Sequence, residues 1–221
     1  MNYYNEFDPK AAAWLQELIS AGAIPAGDVD ARSICDVRPE DLRGYTQCHF
    51  FAGIVGWSYA LQLAGWPEDQ PVWTGSCPCQ PYSTAGKQLG EKDERNLWPV
   101  FFNLIRECRP ERAFGEQVAN AIGHGWLDGI SADLEKEGYA CGACVLGAHS
   151  VGAPHIRKRL YWVAHSERVN RGLPDEQRRE MPEALGCSET GWLGHSNLSG
   201  PQGRNGEELR ECSNQQAAGT R

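Results

Sequence analysis

Short apolar runs, each ending in a turn built from glycine or proline, alternate along this chain with stretches of helical period, and that alternation limits the folds open to it. Residues 3–7 (Tyr3-Tyr4-Asn5-Glu6-Phe7) read as extended and aromatic. Asp8 can cap a helix and Pro9 suits a first turn, so a helix is predicted over 9–20, stopped by Gly22. Ala13, Leu15, Leu18 and Ile19 lie close to one face of it and form the expected core stripe. The run 48–51 enters a turn at Gly53 and Gly56, followed by a helical stretch over 58–64. The run 71–74 opens into Gly75-Ser76-Cys77-Pro78-Cys79-Gln80-Pro81, whose prolines and lack of period mark a loop. Helices follow near 97–108 and 126–137, and strands near 112–114, 141–146 and 160–164. Such a series predicts an α/β fold: an open, mostly parallel sheet with helices on both faces, and ligands in the crevice beyond the carboxyl ends of the strands.

Composition fits one main domain. Of 221 residues, 41% are apolar and 23% charged, as in ordinary globular proteins. No stretch approaches the roughly 20 apolar residues of a spanning helix, and the start lacks a basic flank with an apolar run, so a cytoplasmic protein away from membranes is expected. Nine cysteines, an odd count without an export signal, read as reduced thiols. A net charge of -8 argues against coating nucleic acid by charge alone, so any such contact must be local or supplied by something else. From 165 to 221, Gly, Ser, Asn, Gln, Glu and Arg dominate, which suits a polar, flexible or incomplete segment rather than a core; residues 1–164 are the expected catalytic domain.

The loop after the third apolar run displays a thiol in the manner of a nucleophile. Pro78-Cys79-Gln80, followed by Tyr82-Ser83 and Gly86-Lys87, resembles the nucleophile loop of the DNA cytosine-5 methyltransferase family. Gly115-Glu116-Gln117-Val118 is similar to that family's Glu-Asn-Val motif, with Gln117 in place of Asn, and Pro154-His155-Ile156-Arg157-Lys158-Arg159 to its Gln-x-Arg-x-Arg motif, with His155 in place of Gln. Phe51-Ala52-Gly53-Ile54-Val55-Gly56-Trp57 resembles the cofactor loop; Val55 replaces an expected glycine and His49 an acidic residue. Asn5-Glu6-Phe7-Asp8 and Gly27-Asp28-Val29 resemble the ribose-binding and adenine-binding segments, although both precede Phe51, so the motif order is permuted. Lys92-Asp93-Glu94-Arg95 matches the segment after the nucleophile loop.

The resemblance implies a Rossmann-like methyltransferase sheet, S-adenosylmethionine as cofactor, and double-stranded DNA as partner with one cytosine flipped out. Cys79 would add to carbon 6 of the ring, and Glu116, expected to be buried with a raised pKa, would support ring nitrogen 3. Arg157 and Arg159, expected on one extended segment pointing the same way, would clamp phosphate and the cytosine carbonyl. Glu6 would hold the ribose and Asp28 the adenine amino group. Phe7 and Phe51 would sandwich the ring, and Val29, Ala52, Gly53, Ile54, Gly56 and Pro78 would complete the cofactor site. Neither the family's target-recognition region nor its returning helix is recognisable after Ala164, so a second chain or missing C-terminal region is the expected source of target recognition. An impaired or partner-dependent relative, an RNA cytosine methyltransferase, and a zinc or thiol module built on Cys77, Cys79, Cys141 and Cys144 are the competing readings; no metal ligand is assigned.

Overall fold

The computed structural model describes residues 1–78 and 96–166. In chain order the elements are β1 (Asn2–Asn5), α1 (Pro9–Ser20), β2 (Gly27–Asp30), β3 (Gln47–Phe50), α2 (Gly56–Leu63), β4 (Val72–Gly75), α3 (Trp98–Cys108), β5 (Arg112–Val118), α4 (Trp126–Lys136), β6 (Tyr139–Gly147) and β7 (Lys158–Ser166). They form one seven-stranded sheet of order β2-β1-β3-β4-β5-β7-β6. Neighbours from β2 to β5 run parallel, and β7 pairs antiparallel with both β5 and β6. This is the mostly parallel α/β sheet that the alternation predicts. The expected tail lies outside the described residues from 167 onward. Among the described residues no helix is long and apolar enough to cross a membrane.

Local chemistry explains the elements. The Asp8 carboxylate accepts the backbone N–H groups of Lys10 and Ala11, and Pro9 occupies the first turn, so α1 begins where the sequence places it. Its buried positions are Ala12 and Leu15, with Leu18 and Ile19 partly covered. Ala13 is exposed, contrary to expectation, because the stripe follows the 12, 15, 19 spacing of one helical face. Strands β1, β3 and β4 are buried at all four positions, as parallel strands covered on both faces must be. β1 stops at Asn5 rather than Phe7, so Glu6 and Phe7 lie beyond the strand end. β5 runs four residues further than predicted, because β7 pairs with it as far as Val118 opposite Arg159.

The permuted motif order is resolved by the connections. β1 and β2 come first in the chain, yet β1 lies between β2 and β3. Residues 31–46 therefore pass from β2 across β1 to β3, as the resemblance requires. The crossing is made as two 3₁₀ turns, Ile34–Asp36 and Pro39–Leu42, which bury Ile34, Val37 and Leu42 with Tyr3 in one cluster. α2 then leads directly from β3 to its neighbour β4.

Side chains of alternate strand residues divide between two cores. On one face Phe50 packs at 5.0 Å from Trp73 and 5.1 Å from Phe101, and Trp98 meets Phe101, Trp126 and Trp162 edge-on. The indole N–H of Trp98 donates to Asp133 at 2.8 Å, so its polar end is satisfied. Gly75 ends β4 directly against the Phe101 ring; a Cβ there would lie 2.5 Å from it. On the other face Tyr4, Leu15, Ile24 and Val55 form a smaller core. Val55 holds the left-handed conformation (φ 69°) that a glycine adopts freely, while its side chain is fully buried, so packing offsets a local backbone cost of about 1–2 kcal/mol.

His49, where an acidic residue was expected, stacks on Tyr4 at 5.2 Å and shares a 2.8 Å hydrogen bond with Thr74 through Nδ1, while Nε2 has no partner. Burial lowers its pKa from 6.5 to about 3. The unfolded chain therefore takes up this proton near pH 6.5 and the folded chain only near pH 3. The stabilising contribution is full above pH 6.5 and is lost as pH falls through that window, by about 1.4 kcal/mol per unit. Urea titrations at pH 7 and pH 4.5 should show His49→Gln losing about 2 kcal/mol less than the wild type across the interval; equal losses would contradict the assignment.

Candidate active site

Three strand ends are tied together at the carboxyl edge of the sheet. The Glu6 N–H donates to Asp30 O at 3.0 Å, joining β1 to β2, and the Ala52 N–H donates to Asn5 O at 3.0 Å, joining β3 to β1. The Glu6 carboxylate then accepts the N–H of Gly53 at 2.6 Å and that of Asp8 at 2.8 Å. Gly53 has φ 56°, which only glycine adopts without strain, and this turns its N–H toward Glu6. The Val55 N–H donates to Ala52 O at 2.8 Å, closing the turn into Gly56, the first residue of α2. Glu6, Phe51, Ala52, Gly53, Ile54 and Gly56, scattered in the chain, thus share one edge. Phe7 and Ile54 are 71% and 78% exposed there, apolar surface that a planar ligand would cover. Phe51 is half-buried, edge-on to Phe101 at 6.2 Å.

Asp28 and Val29 lie further back along β2 and line the same depression as Asp30. Asp28 pairs in register with Tyr3, two residues short of the end of β2, and accepts the Tyr45 hydroxyl at 2.6 Å. Val29 packs toward the smaller core. Asp30, level with Asn5, is the acidic residue at the strand end. Burial opposes its ionisation, but hydrogen bonds from Arg32 and Tyr3 outweigh that and bring its pKa down to about 2. Arg32 also reaches Asp41 at 3.0 Å, and these residues line a depression of about 470 Å³.

At the next strand end, Gly75 leads into Ser76, Cys77 and Pro78, and Cys79 lies outside the described residues. Cys77 is buried, and burial pushes its thiol up to about 12. The root of the loop is held from both sides. The Trp57 indole N–H donates to Ser76 Oγ at 2.9 Å, and the Gln117 amide donates to Cys77 O at 3.4 Å while its own oxygen accepts the Val118 N–H at 2.9 Å. Half-buried Pro78 is the last described residue before the loop.

β5 presents Glu116 on the face opposite Gln117. Its carboxylate meets Arg159 Nε at 2.6 Å, across one residue of the β5–β7 ladder. The expected burial is partial: the Glu116 side chain is 26% exposed. Tyr161 pairs directly with Glu116 and lies on the same face as Arg159. Arg157 departs from expectation, for it precedes β7, has φ 27°, and is exposed, so the two arginines do not lie on one extended segment. Cys141 and Cys144, three apart on β6, fall on opposite faces of the strand, a poor start for one metal site. No cluster of metal-binding side chains occurs among the described residues.

The family described as C-5 cytosine-specific DNA methylase matches residues 60–192. The chain belongs to that family. The matched region of this methylase chain includes the loop root, Glu116 and Arg159, while Glu6 and Phe51 precede it. The chain is 32% identical over 117 residues to the Type II methyltransferase M.AplI of Arthrospira platensis, covering 52% of this chain and 33% of that protein. It is also 32% identical over 133 residues to M.NgoMIV of Neisseria gonorrhoeae, covering 56% and 43%. The chain thus spans less than half the length of these relatives. Among solved structures, the Entamoeba histolytica methyltransferase EhMeth is similar at 16% identity over 75% of this chain and 52% of that one, with TM-score 0.44.

The double acceptance by Glu6 makes a ligand-free prediction for the methylase fold. Glu6→Ala should cost about 1 kcal/mol through the two hydrogen bonds it removes, measured by urea unfolding without any ligand. An unchanged midpoint would remove Glu6 from the strand-end lock.

Proposed function

We propose that this chain transfers a methyl group from S-adenosylmethionine to carbon 5 of a cytosine swung out of duplex DNA, with Cys79 as covalent nucleophile. The observation that carries the reading is the meeting of Glu116 with Arg159 beside a loop root gripped by Gln117, two residues before Cys79. Family membership supports it. The cofactor, when bound, supplies an electrophilic methyl on a sulfonium. Glu6 holds the ribose, the turn Phe51–Gly56 receives the methionine end, and Phe7, Phe51 and Ile54 supply apolar contact. Asp28 takes the adenine amino group, with Val29 and Asp30 lining the same depression.

Carbon 5 of cytosine is too weak a nucleophile to attack unaided. Addition of the Cys79 thiolate to carbon 6 converts the ring to an enamine and drives charge onto nitrogen 3. Glu116 shares a proton with that nitrogen, and Arg159 holds the Glu116 carboxyl in place. After methylation the carbon 5 proton leaves to a base, the carbon–sulfur bond breaks, and the thiolate is restored. Arg157, exposed and outside the ladder, is free to meet a phosphate.

Incubation with labelled S-adenosylmethionine and mixed duplex DNA, followed by nucleoside analysis, should yield 5-methylcytosine. Cys79→Ser should reduce that yield at least a thousandfold and leave cofactor affinity within twofold. Product from RNA alone, or undiminished turnover by the variant, would contradict the reading.

A further inference from the structure

Trp57 is unused by this mechanism, yet it contacts the loop root and both strands of the Glu116–Arg159 ladder. It lies in the first turn of α2, directly after the cofactor turn, and its indole N–H donates to Ser76 Oγ at 2.9 Å. The ring stacks on Phe114 of β5 (6.0 Å, 20°) and meets Tyr161 of β7 edge-on (6.1 Å, 82°). Phe114 precedes Glu116 by two residues and so shares its face, and Tyr161 is the register partner of Glu116. One rigid side chain therefore spans the turn, the root of the nucleophile loop and the strand pair that carries the acid. Gln117 grips the same root one residue later, from the opposite face of β5.

We propose that Trp57, through its hydrogen bond to Ser76, is a positioning residue that sets the departure of the Cys79 loop relative to the cofactor turn and Glu116. The proposal rests on the methyl-transfer reading for its chemistry. A hydroxyl at position 76 has several rotamers and no other side-chain partner among the hydrogen bonds described. The indole fixes it, and the indole is itself fixed by two rings. An alignment error of about 1 Å at a reacting centre lowers rate without altering ground-state binding at a separate subsite.

The test uses the full chain with four variants: Trp57→Phe, which keeps an aromatic ring and loses the donor; Ser76→Ala, which loses the acceptor; the double variant; and Ser76→Thr, which restores a hydroxyl. S-adenosylhomocysteine affinity, melting temperature, single-turnover methyl transfer to duplex DNA, and the rate of Cys79 alkylation by iodoacetamide are measured for each. Trp57→Phe and Ser76→Ala should each slow methyl transfer roughly tenfold, with cofactor affinity and melting temperature near wild type. The double variant should be no slower than either single one, because both remove the same bond, and Ser76→Thr should recover most of the rate. Alkylation of Cys79 should change in the same order. Unchanged rates, or effects that multiply in the double variant, would overturn the positioning role. If the wild type transfers no methyl group, the methyl-transfer reading fails by itself. The alkylation series then decides the positioning claim, which stands if alkylation follows the variants and falls if it does not.

Discussion

A carboxylate that accepts a backbone N–H across a turn holds this molecule's working edge together. Glu6 stands one residue past the end of β1 and takes the N–H of Gly53, at 2.6 Å, from the turn after β3. Backbone bonds at Asp30 and Asn5 complete the tie among three adjacent strand ends. That tie adds to the ladders and to the packing of Tyr3 and Tyr4 against Phe50 and His49, which hold the first two strands beside the central one. With it, a permuted order of segments builds the same kind of crevice as an unpermuted one, because a site at the edge of a parallel sheet depends on which ends are adjacent and not on the order of synthesis.

Much of this was legible in sequence because the determinants are local. Asp8-Pro9 sets the start of α1, and Gly53 marks a turn that requires positive φ. Four-residue apolar runs read as central strands because both faces are covered. The acid and its partner were legible as Glu116 and Arg159, since each occupies a motif of several residues. What failed depends on the rest of the fold. Ala13 sits one position off the buried stripe, and periodicity alone does not choose between adjacent faces. Arg157 was grouped with Arg159 on the assumption that β7 had already begun, whereas the strand starts at Lys158.

The departures from the family pattern have physical replacements. Val55 keeps the backbone shape of the glycine it replaces and adds a side chain to the small core under the turn. His49, in place of an acidic residue, is neutral, buried and paired to Thr74, so it belongs to packing rather than to ligand binding. Gln117, in place of Asn, uses its longer side chain to reach the carbonyl of Cys77.

The central claim is that a thiol leaving the end of β4 attacks a ring held beside Glu116. A duplex carrying 5-fluorocytosine tests it directly, because fluorine at carbon 5 does not leave as a proton does, and the adduct persists. Incubated with this duplex and S-adenosylmethionine, the protein should form a denaturation-resistant complex, and peptide mapping should locate the bond at Cys79. An adduct at another cysteine, or none in a preparation that methylates ordinary DNA, would contradict the account.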